Sequence, residues 1–102
     1  MKNIVRIGLV LLATGAGLPA QAALSGYYDS VAAMAAVLET EGLADALRQQ
    51  PVAGMDVAES DGGEVWKVRT RDCLAEVALR RIPPNGPGVN SFETSLGTAR
   101  CD

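Results

Sequence analysis

Two cysteines, Cys73 and Cys101, stand on either side of a Pro83-Pro84-Asn85-Gly86-Pro87-Gly88 run, and this constrains the chain more than any other feature. The run can be neither helix nor inner strand, because proline lacks a ladder donor and glycine lacks a packing side chain. The flanking segments, 73–82 and 91–101, read as strands, with Cys73, Ala75, Val77 and Leu79 alternating onto one face. Strands around such a break pair as an antiparallel hairpin, in which facing positions sum to a constant. Setting Cys73 opposite Cys101 makes that constant 174. The same sum faces Ile82 with Phe92, Arg81 with Glu93 and Ala78 with Leu96, two apolar pairs and one of opposite charge. Gly97 is where a bulge would shift the register. A structural Cys73–Cys101 disulfide is therefore expected. A redox-active pair would instead sit as Cys-x-x-Cys at a helix start.

The beginning of the chain supplies the compartment such a disulfide needs. In MKNIVRIGLVLLATGAGLPAQA, Lys2 and Arg6 precede a short apolar run, Ile7 to Gly17, and Ala20-Gln21-Ala22 offers a small-x-small cleavage site. This is the pattern of a secretory signal peptide, too short to span a bilayer as a helix of about 20 apolar residues. Residues 1–22 are expected to be removed after Ala22, leaving one domain, 23–102. No cysteine near the cleavage site offers a lipid anchor, and no second long apolar segment follows. The expectation is export to a bacterial periplasm or beyond, without a membrane anchor, where two thiols persist as a staple.

Between the signal and the strands, Ser25 to Gln50 is helical in character. Val31, Met34, Ala35 and Leu38 share one apolar face, with Asp29 or Ser30 available as N-cap. Leu43, Ala46 and Leu47 form a second set that is out of phase, and Gly42 falls at the slip. Two short helices, 30–40 and 41–49, are predicted, with Thr40 capping the second and Pro51 preventing continuation. The alanines at 32, 33, 35 and 36 invite a membrane or dimer-zipper reading. The preferred one is a helix lying close on a sheet. Tyr27 and Tyr28, just before the helix, could anchor a partner or form the lid of the core, and the lid is the preferred reading. A weak strand over 52–59, a turn at Ser60-Asp61-Gly62-Gly63 and a strand over 64–70 complete the reading. In the last of these Trp66, Val68 and Thr70 share a face. The predicted fold class is α+β: a kinked helix pair on a four-stranded antiparallel β-meander, closed by one disulfide.

Composition excludes more function than it suggests. The chain has no histidine, so no Ser-His-Asp or Cys-His arrangement can form, and two cysteines cannot complete a zinc site of the Cys/His kind. No GxGxxG or P-loop lysine is present, and no cofactor is expected. Losing Lys2 and Arg6 with the signal leaves seven cations against twelve acids, a net charge of −5 that argues against nucleic acid. Yet the cations cluster. Lys67, Arg69 and Arg71 share one strand face, and Arg80 and Arg81 follow on the next strand. That face, or an extended tip over 83–90, could dock a partner; the plainer readings are a solvated sheet face and an ordinary connection. The expected function is a non-enzymatic, exported interaction module for another envelope or secreted protein. An inhibitor or immunity-type protein that blocks a secreted enzyme is the sharper version. A small hydrolase using carboxylates is the alternative from a different class.

Overall fold

The computed structural model describes residues 25–102, so the predicted signal sequence lies outside the described residues. Ser25 begins the first helix, α1 (Gly26–Leu38), by accepting a hydrogen bond from the Tyr28 amide at 3.4 Å. A Ser oxygen satisfies one of the amides that a first helical turn leaves unpaired. The helix therefore starts ahead of the predicted caps, Asp29 and Ser30. Tyr27 and Tyr28 fall in its first turn and are exposed, not a lid on the core. At the other end Thr40 does not cap a second helix. Its hydroxyl donates back to the Ala36 carbonyl at 3.2 Å, and Gly42, at φ +86°, makes the break. Only glycine adopts that conformation without strain. One further turn, α2 (Leu43–Ala46), follows and is shorter than the predicted 41–49.

Four strands then run as a meander in the order β1-β2-β3-β4: β1 (Gly54–Ser60), β2 (Gly63–Arg69), β3 (Cys73–Ile82) and β4 (Ser91–Cys101). All neighbours are antiparallel. Both helical segments lie on one face, over β3 and β4. Beneath them Trp66 and Val68 of β2 join Cys73, Ala75, Val77 and Leu79 of β3 as the buried floor. The period-two patterns read from the sequence supply every one of these residues. Ala33 and Val37 of α1, then Leu43 and Leu47, close the core from above.

The predicted helix face is wrong. Val31, Met34 and Leu38 are 44%, 39% and 41% exposed, and Ala35 is also exposed, whereas Ala33 and Val37 are fully buried. Over β3 and β4 the helix turns Ala33 and Val37 into the core, with Ala36 packed beside them, so it lies close on the sheet through small and β-branched residues. Small residues against the sheet were the preferred reading of the alanines, and Ala33 and Ala36 fulfil it.

The last hairpin keeps the predicted register only at its disulfide end. Cys73 faces Cys101 and Ala75 faces Ala99, but beyond them Val77 faces Leu96 and Arg80 faces Glu93. Glu76 thus stands against two residues, Gly97 and Thr98, in a bulge at the position where Gly97 allowed one. Past it, Ile82 faces Ser91, Arg81 faces Phe92 and Ala78 faces Ser95, which replaces the three pairings drawn from the constant sum. The disulfide pair needs its neighbours as much as its register. Both the amide and the carbonyl of Cys73 are engaged by Thr70, so Cys73 and Cys101 form a non-hydrogen-bonded pair with Cα atoms 4.0 Å apart. That is the closer of the two antiparallel pair types, and it brings the sulfurs together.

Candidate functional site

Lys67 and Arg69 lie on β2, inside the sheet, but Arg71 lies past its end in the β2–β3 turn, so the three do not share one strand face, and the neighbours of β2 divide the predicted basic face further. Lys67 is flanked by Asp56 on β1 and Glu76 on β3. Arg80 sits at the far end of β3, where it forms an exposed ion pair with Glu93. Arg69 and Arg71 remain together, and β4 adds Arg100, placed opposite Leu74. Arg100 was not singled out from the sequence, although the sum of 174, which holds at this end of the hairpin, already set it opposite Leu74 and so beside the β2–β3 turn.

These three arginines surround a shallow cleft of about 200 Å³ beside the disulfide, shared with Asp72, Leu74 and Asp102. All three are exposed, and among the described residues none has a carboxylate within ion-pair distance. Two local features bear on Arg69 and Arg71. Gly54 faces Arg69 across the β1–β2 ladder, and a Cβ there would meet the Arg69 guanidinium as it lies. The bare backbone is thus the bed on which the Arg69 side chain rests. Gln50, at the end of the helical segment, pins the turn carrying Arg71. Its amide nitrogen donates to the Asp72 carboxylate at 2.8 Å. Its oxygen accepts from the Thr70 hydroxyl at 2.6 Å and the Asp72 amide at 3.2 Å. Thr70 in turn receives the Cys73 amide at 3.0 Å. Asp72 is therefore already occupied, and the guanidinium groups offer paired donors to an incoming carboxylate.

Arg81 has a different role. On the helix-covered face it donates to Glu64 of β2 at 2.6 Å, pairs with Asp29 of α1, and lies 5.6 Å from the Phe92 ring centroid. Hydrogen bonding from Arg81 holds the Glu64 carboxyl below its ordinary range, against the opposing effect of burial, and the Trp66 indole at 3.0 Å adds to it. The guanidinium is correspondingly held more firmly in its charged form by Glu64. A general acid needs the reverse shift. Asp29 also accepts from the Asn90 side-chain amide at 3.2 Å, which ties the base of the 83–90 connection to α1. The tip, residues 83–87, stands exposed.

Among the described residues no group of three Asp, Glu or Cys side chains is placed to hold a metal ion. No helix among them is long and apolar enough to cross a membrane. Compared with known proteins, the chain has no significant match to a family model, a curated protein or a solved structure.

Proposed function

We propose that this chain is a small exported interaction module of the cell envelope, without chemistry of its own. It docks a carboxylate-bearing segment of a partner protein at the Arg69–Arg71–Arg100 corner. The observation that carries this reading is that three exposed guanidinium groups converge on one cleft with no ion-pair partner among the described residues. In a chain of net acidic composition, Arg80 and Arg81 are neutralised by neighbours while these three are left open. Guanidinium groups bind carboxylates in paired geometry, and the pinned β2–β3 turn fixes the backbone that carries Arg71. Export, expected from residues 1–22, fits a domain that carries a disulfide.

The test is recovery of partners from envelope extract on the wild-type protein and on an Arg69→Glu/Arg71→Glu/Arg100→Glu variant. A partner held by the wild type, lost by the variant and weakened by salt supports the reading. A partner retained equally by both overturns it. The inhibitor-type reading draws on the exposed 83–87 tip, whose base is tied down through Asn90 and Asp29. In that case replacing 84–87 with alanines, and not reversing the arginines, abolishes binding.

A further inference from the structure

We infer that the outward stripe of α1, Tyr27-Val31-Met34-Leu38, is the contact through which two copies of this chain associate antiparallel about a two-fold axis. All four residues are between 39% and 71% exposed although the helix has an apolar core beneath it. Their spacing of four, three and four is that of a two-stranded helical seam. Because it reads the same from either end, reversal maps the stripe onto itself. Facing positions then sum to 65, which places Tyr27 against Leu38 and Val31 against Met34 of the second copy, each contact occurring twice.

Charge selects both the occupant and the direction. Within α1 the only acidic or basic side chain is Asp29, and it is turned inward to Arg81. Two such faces meet without like-charge opposition. A parallel pair would bring Glu39 and Glu41 beside their own copies. The antiparallel pair sets Glu39 near Gly26 of the second copy, at the positive end of its helix dipole, and aligns the two dipoles favourably. Exposed Ala35, on the rim of the stripe, lets the helices approach. The four residues expose on the order of 400 Å² per copy, so a pair covers on the order of 800 Å², the size of a weak, reversible interface.

The experiment is sedimentation velocity on the protein produced from its full coding sequence, across a range of concentrations. The wild type is expected to dimerise reversibly with a dissociation constant on the order of 10–100 µM. Met34→Glu should weaken association on the order of a hundredfold, since symmetry inserts the charge twice. Val31→Lys should do the same alone, and an equimolar mixture of the two variants should recover a dimer, because the introduced ammonium and carboxylate then face each other. Leu38→Gln, an uncharged change, should weaken it in the same direction. Arg71→Glu should dimerise like the wild type, which separates this contact from the arginine corner. Thermal melts of each variant check folding. A wild type that stays monomeric at about 1 mM overturns the inference, as does a dimer indifferent to Met34→Glu or a mixture that fails to recover. Wild-type monomer that instead adsorbs to lipid vesicles, with Met34→Glu not adsorbing, assigns the stripe to a membrane surface and also overturns it.

Discussion

Removing the disulfide is the perturbation whose consequence can be worked furthest. Cys73 and Cys101 enclose a loop with a sequence separation of 28. In the chain-entropy treatment such a cross-link removes about 12 cal/mol/K from the unfolded ensemble, or about 3.5 kcal/mol at 25 °C. A domain of about 80 residues has an unfolding entropy on the order of 170 cal/mol/K at its midpoint, so the loss lowers Tm by about 20 °C. Three features keep native-state effects small. The pair occupies the closer antiparallel geometry, the register beyond the bulge is set by six further pairs, and Cys101 Sγ lies 3.5 Å from the Ala46 carbonyl, an ordinary contact. The double variant Cys73→Ala/Cys101→Ala avoids intermolecular bridging by a lone thiol. Its melt should be followed by circular dichroism beside that of wild type refolded in reductant, and the two should agree. The urea m-value should rise as well, because the unfolded chain loses a restraint and exposes more surface. A Tm within about 5 °C of wild type would refute the reasoning, and with it the view that a core this small depends on a covalent staple.

Acid should weaken the fold through Glu64. Its carboxyl titrates below the ordinary value of 4.5 because Arg81 favours the charged form. The pair's contribution is therefore fully present above that value and lost as pH falls through the depressed one. Urea midpoints should fall between pH 5 and pH 3, and Arg81→Met should flatten that slope; equal slopes would remove Glu64 as the cause. Gln50→Ala removes hydrogen bonds to Thr70 and Asp72 at a part-buried turn and should cost about 1–2 kcal/mol, read as a Tm loss of several degrees. Because it also frees the turn that holds Arg71, it should weaken partner capture at temperatures where the domain remains folded.

Local chemistry sufficed for much of the fold. Period-two alternation named the buried residues of β2 and β3, the Pro/Gly run marked the last connection, and the cysteine spacing anticipated its covalent closure. Those patterns are local because pleat and turn propensities act over a few residues. The side of α1 that would be buried was not legible. Val31, Met34 and Leu38 make a more apolar stripe than Ala33, Ala36 and Val37, and hydrophobicity alone selects the wrong one. The decision belongs to the assembled core, where Ala33 and Val37 of α1 meet Leu43 and Leu47 and the residues of β2 and β3.

The same division runs through the candidate site. A basic strand was visible in the sequence as Lys67 and Arg69, since side chains two apart share a face whatever the strand pairs with; Arg71, read as its continuation, lies in the turn that follows. Which of those charges stay free depends on what lies across the ladder. Asp56 and Glu76 flank Lys67, Glu93 neutralises Arg80, Gly54 makes a bed for Arg69, and a distant Arg100 arrives through β4. The sequence by itself determined the strands, their inward faces and the cysteine staple, because those follow from neighbours along the chain. The tertiary structure alone decided which helix face and which arginines remain open, because both depend on residues tens of positions away that only packing and register bring together.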